Sequence, residues 1–180
     1  LNNGMGQLVG VGVAGAVAGL VVGTLSMADL TGKISSGMFT RAGGSYALTL
    51  LVATVVIILL GMGMPTPAVY ALSAVLAAPA LLALKIELLP AHLFIVYFAS
   101  MSAITPPVAV AAFAAASIAR ANPIAVAFVA CRVGIVAFVL PLVFVNQPGL
   151  LLMGDAATVV TTIGFVLMGA MCLVIAFEGW

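Results

Sequence analysis

The sequence predicts an all-α integral membrane protein, a helical bundle containing a re-entrant helical hairpin and one broken transmembrane helix. Three observations carry that expectation. Of 180 residues, 66% are hydrophobic and 5% charged, against roughly 25% charged in a soluble domain, and mean hydropathy is +1.43. The Ala/Val/Leu/Gly-rich style runs from end to end, which indicates one bundle rather than a soluble domain on a membrane anchor. Two apolar segments are each interrupted near the middle, by Gly61-Met62-Gly63-Met64-Pro65-Thr66-Pro67 and by Ser102-Ala103-Ile104-Thr105-Pro106-Pro107. A helix broken inside lipid leaves N–H and C=O groups without water, so such breaks survive only against protein or a polar cavity. The breaks are the expected working parts.

In chain order, residues 8–27 are long enough to cross the hydrocarbon as a helix. Gly10 to Gly15 match a GxGxxG string, but the strand, βαβ setting and acidic ribose partner of a dinucleotide site are missing. Gly15, Gly19 and Gly23 instead form a smooth stripe suited to close helix packing. Residues 28–45 mix Asp29, Lys33 and Arg41 with Leu30, Ile34, Met38 and Phe39. That spacing suits a short amphipathic helix lying along the membrane surface and ended by Gly43-Gly44, with a plain polar loop as the alternative.

Residues 47–60 and 68–84 are apolar arms around the first break. The first arm is too short for a comfortable crossing, so the pair reads as a hairpin entering and leaving by one face. The alternative is one long, kinked spanning helix followed by a short one. Pro65 and Pro67 lack backbone donors, and Gly61 and Gly63 permit unusual backbone, leaving carbonyls free at the tip. With the Thr66 hydroxyl these are hard oxygen ligands for a small cation. A loop over 88–90 leads to a helix from Ala91 to about Ser100, which breaks over 102–107 and resumes over 108–119. His92, at the head of that helix, reads as an interfacial polar residue, since no neighbouring carboxylate is placed to make it a proton relay.

A helix broken at mid-membrane presents two opposite ends. The half after Pro106-Pro107 begins with exposed N–H groups that favour a carboxylate, and the half before it ends in carbonyls that favour a cation. Beyond it, residues 124–145 form a further helix with Arg132 about eight residues inside, where an unpaired charge is costly. Structural pairing or snorkelling of Arg132 is the first reading and substrate contact the second. A loop over 146–155 precedes a final crossing over 156–177, finished by Glu178 and Trp180 at the interface.

Several classes fall away. Net charge is +1 and the five Lys and Arg are scattered singly, so no nucleic-acid surface is present. Cys131 and Cys172 lie in apolar runs without a CxxC partner and read as small hydrophobes. No HExxH, Ser/His/Asp set or paired intramembrane aspartates suggest catalysis, so the chain reads as no enzyme, without an organic cofactor. An ion channel, which also uses re-entrant carbonyls, and a structural subunit with kinked helices remain as alternatives. The first residue is Leu1 rather than Met and no basic stretch precedes a short apolar core, so the chain reads as neither a complete start nor a signal peptide but as the C-terminal part of something longer.

The Gly61–Thr66 tip, His92-Leu93-Phe94, Tyr97-Phe98 and Ala103-Ile104-Thr105-Pro106-Pro107-Val108-Ala109 together resemble the large membrane subunit of tripartite ATP-independent periplasmic (TRAP) transporters. Arg132-Val133-Gly134 and the run from Val145 to Leu152 are similar to the form in which small and large subunits are fused. The resemblance implies the second inverted repeat of an elevator-type, sodium-coupled importer in the bacterial inner membrane. It further implies a periplasmic solute-binding protein delivering a small organic acid, and the rest of the permease, with its first repeat and small-subunit helices, as partners. Gly61, Gly63, Thr66, Ser102 and Thr105 would hold sodium, with Pro65, Pro106, Pro107 and Arg132 as substrate-side candidates. The implied division is scaffold helix and connector over 1–46, transport part over 47–119 (hairpin 47–84, broken helix 91–119) and two C-terminal helices over 120–180. The family places the hairpin mouth on the periplasmic side, whereas Lys33, Arg41 and Lys85 on that side, against Arg120 opposite, favour the cytoplasm. The resemblance therefore implies a periplasmic hairpin mouth against the local charge bias.

Overall fold

The computed structural model describes residues 2–41, 43 and 45–179, and every regular element among them is helical. Helix α1 (Asn2–Met27) has 26 residues and starts earlier than residue 8. The GxGxxG string therefore lies within a helix, not at a strand-to-helix turn. Asp29 turns the chain through a positive φ of 53°, and α2 (Leu30–Arg41) follows. Its Leu30–Gly37 part stands at 83° to Gly15–Met27, and the two pass for one bent span or a re-entrant pair by length and composition, so the helical reading of this stretch holds. The side chains of Met38, Phe39 and Arg41, and Gly44 and Trp180, fall outside the described residues. α1 packs on α4 (Thr66–Ala83), with Ala18 buried. Side chains added at Gly15, Gly19 and Gly23 would meet nothing within 4 Å, so the glycine stripe is free of contacts within the described chain.

Helix α3 (Tyr46–Gly61) folds back through residues 62–65 into α4, and both pack on α5 (Leu88–Met101). Sixteen residues give α3 about 24 Å, short of the ~30 Å hydrocarbon, while α4 is long and apolar enough to cross alone. Ile57, Val69, Leu81, Phe94 and Phe98 fill the core between these helices.

α5 starts at Leu88, not Ala91. Pro90 occupies its first turn, where a missing N–H costs nothing because that N–H has no helical partner, and Ala91 N–H already donates to Glu87 O. The chain resumes as α6 (Val110–Ala119), two residues later than expected. Residues preceding prolines avoid helical backbone, the Pro106–Pro107 bond is cis, and Ala109 turns into α6 at φ 37°.

Asn122 caps α7 (Pro123–Val133) by accepting from the N–H groups of Ile124 and Ala125. α7 lies at 117° to α6 and packs against it. The single helix expected over 124–145 is two, because the ladder gives way at Gly134 before α8 (Ile135–Asn146). There Ala137 N–H bonds Gly134 O, three residues back, and Pro141 withholds the donor that Ala137 O would use. The stretch past residue 120 thus contains three α-helices rather than two. α8 joins the core around α5, with the Tyr97 and Phe144 rings edge to face at 5.5 Å. After a single 3-10 turn (Pro148–Leu151) comes α9 (Ala156–Glu178), which buries no residue and is long and apolar enough to span. The whole is a membrane helical bundle.

Candidate functional site

Four helix ends converge where the hairpin tip meets the broken helix. Gly61 ends α3 and is buried, and Ser102 caps the C-terminus of α5 with 2% of its surface exposed. A methyl group on Gly61 would overlap Ser102 Oγ and stand 2.5 Å from Ser102 Cβ, so this contact is open to glycine alone. On the other flank Gly63, at φ 84°, lies against Val108, whose Cγ1 is 3.7 Å from a Cβ built on the glycine. Thr66 begins α4 and Val110 begins α6, each just past those contacts. Two negative C-termini, of α3 and α5, thus touch, beside the positive N-termini of α4 and α6.

The oxygen inventory of this seam is unusual for apolar surroundings. Among the described residues, the carbonyls of Met62, Gly63, Met64, Pro106, Pro107 and Val108 accept no hydrogen bond. Ser102 Oγ donates to Ala99 O at 2.7 Å, and Thr105 Oγ1 donates to Met101 O at 2.8 Å. Each hydroxyl proton is therefore turned into its own helix, leaving the oxygen lone pairs free. Thr66 is half-buried at the head of α4. No cluster of His, Cys, Asp or Glu able to hold a metal ion exists among the described residues. A cation entering the seam would meet neutral, hard oxygens only.

The break itself is closed by one long-range bond, from Ala111 N–H to Ala103 O at 2.9 Å. This alters the expected anion seat. The helix head at which it was expected lies at Val110 rather than immediately after the proline pair, and one N–H group there is already engaged by Ala103. Pro65 and Pro107 are exposed and Pro106 half-buried, all in the two turns that face one another across the seam.

A family model described as "Tripartite ATP-independent periplasmic transporter, DctM component" matches residues 4–159. The chain belongs to this family. The match includes both breaks and stops near the start of α9. No curated protein and no solved structure matches the chain.

The remaining polar residues of this DctM component are placed away from the seam or on its back. Arg132 Nε donates to Phe177 O at 2.6 Å, pinning α7 to the last turn of α9, where a cation also suits the helix end. His92 does have a partner, the Tyr70 hydroxyl 3.0 Å from its Nδ1, tying α5 to α4. Both cysteines are free. Grooves of about 570 Å³ between α3, α5 and α8 and about 540 Å³ between α8 and α9 are lined mainly by apolar groups and include no seam residue.

Reading the sequence placed Val108 and Gly134 in family-like runs but gave neither a part in the seam. Val108 carried a signal, since it follows the proline pair that must turn the loop toward the tip. Gly134 closes the family-like Arg132-Val133-Gly134 run, but no neighbouring breaker precedes Pro141, so nothing local marks a helix end there.

Proposed function

We propose that this chain supplies the ion-coupling unit of a sodium-driven importer for a small organic acid, delivered by a periplasmic binding protein to a permease in the bacterial inner membrane. The carrying observation is the contact of two helix C-termini at Gly61 and Ser102. Two partial negative charges meeting in a low-dielectric setting call for a cation between or beside them. Sodium suits the donor set: a monovalent ion needs no carboxylate, whereas a protein site for calcium is built around Asp and Glu. Gly61, Gly63, Thr66, Ser102 and Thr105 would frame it, the glycines through backbone carbonyls and the others through hydroxyls as well.

The carboxylate of the solute would bind at the heads of α4 and α6, beside Pro65, Pro106 and Pro107, because unpaired N–H groups and the positive helix ends attract it. A sodium ion next to that seat strengthens it, which couples the two ligands through simple electrostatics. Because α8 shares a core with α3, α4 and α5, those helices would move as one body carrying the seam. Arg132, held by α9, would serve that framework rather than the solute.

The test is uptake in proteoliposomes containing the complete transporter, with and without an inward sodium gradient and with its binding protein supplied outside. Uptake requiring both is expected. Ion current without solute movement would favour a channel instead, and uptake indifferent to sodium would remove the coupling reading.

A further inference from the structure

The face of the broken-helix loop turned away from the hairpin is held by α7, at two positions. Cys131 Sγ donates to Ile104 O at 3.4 Å. Three residues on, at the gap between α7 and α8, a Cβ on Gly134 would stand 3.3 Å from Ile104 Cδ1 and 3.0 Å from Ala130 O, so the Ile104 side chain rests on bare backbone. The peptide unit joining Ile104 to Thr105 is thereby fixed on both edges, since Thr105 N–H bonds Ser102 O at 3.3 Å on the other side. A planar peptide held at both its oxygen and its nitrogen has no freedom to rotate. The direction in which the Thr105 hydroxyl leaves the chain is set with it.

We infer that Cys131 and Gly134 are positioning residues for the ion site: they orient Thr105 through Ile104 without touching the ion. This rests on the sodium reading given above. The thiol acts as a donor here, so a hydroxyl at 131 would replace it and an alkyl group would not. Gly134 acts by having no side chain, and Ala there would press on Ile104 and tilt the same peptide.

The experiment uses the complete transporter in proteoliposomes with its binding protein, comparing wild type, Cys131→Val, Cys131→Ser and Gly134→Ala. The sodium concentration for half-maximal uptake is read separately from the maximal rate. Loss of one weak S–H···O bond is expected to raise the half-saturating sodium about two- to fivefold in Cys131→Val, with Cys131→Ser close to wild type and Gly134→Ala shifted in the same direction as Val. Variants that change only the maximal rate or the amount of folded protein would overturn the inference, leaving α7 a plain packing helix. A wild type that transports without sodium would overturn the coupling reading beneath it, and no variant is needed to see that. Should Cys131→Val fail to reach the membrane, alkylation of Cys131 by N-ethylmaleimide in a Cys172→Ser background decides. Sodium is expected to slow it, and a rate indifferent to sodium overturns the inference.

Discussion

Replacing Gly61 with Ala is the sharpest test of the seam. The added Cβ would lie 2.5 Å from Ser102 Cβ, whereas carbons sit comfortably at about 3.5–4.0 Å. The end of α3 and the end of α5 must then separate by about 1.0–1.5 Å. Both contact atoms are buried on short, packed side chains or backbone, so no flexible tip yields. Overpacking of this kind costs about 1–3 kcal/mol. If that falls on the ion-bound arrangement, the half-saturating sodium rises roughly 5- to 150-fold. The assay is sodium-dependent solute uptake in proteoliposomes, normalised to the amount of folded protein. A second change, Ser102→Gly, empties the space that the new methyl needs while also removing a hydroxyl from the ion's frame, so the double variant should lose less affinity than the two single losses added together, a coupling that independent sites do not show. A Gly61→Ala protein with wild-type sodium dependence and rate would refute the reasoning, because tip and loop would then not meet in the working cycle.

Thr105→Ala should raise the half-saturating sodium more than it lowers protein in the membrane; equal losses would assign Thr105 only its back-bond to Met101. Gly63→Leu should abolish uptake, since a leucine at φ 84° is strained and would fill the tip beside Val108; normal transport would mean that the tip approaches no ligand. Asp155, outside the spanning segments, has its carboxyl held below the ordinary range chiefly by the Thr158 hydroxyl and then by Thr158 N–H. A lowered folded-state pKa makes its capping contribution complete above about pH 4 and fading as pH falls through the lowered value. Protection from hydrogen exchange over the first turn of α9, taken relative to the intrinsic exchange rate at each pH, should therefore fall on acidification in wild type and stay level in Asp155→Asn, which caps without titrating.

The seam was legible because its signals are local. Gly61, Gly63, Pro65 and the Thr105-Pro106-Pro107 run announce broken backbone in an apolar sequence, and backbone polarity in lipid leaves few uses for such breaks. What was not legible depends on distant pairs. The Tyr70 partner of His92 is 22 residues away and uncharged, so a search for a nearby carboxylate passed over it. Arg132 finds a backbone carbonyl 45 residues on, a group present in every residue and therefore invisible to pattern. Boundaries shifted where proline has two meanings. Pro90 starts a helix and Pro107 delays one, and the difference lies in whether the neighbouring N–H groups have carbonyls to reach.

The Ala111 to Ala103 bond gives the break the character of a closed ring rather than a hanging loop. Its closure entropy is lost once, when the chain folds. On the sodium reading proposed above, an arriving ion would therefore meet oxygens that already hold their places, and little ordering would accompany its capture. Calorimetry of sodium binding should accordingly show a small heat-capacity change, unlike that of a segment that folds around its ligand. Motion in such a transporter would belong to the bundle that carries the ring, while the ring itself would travel unchanged.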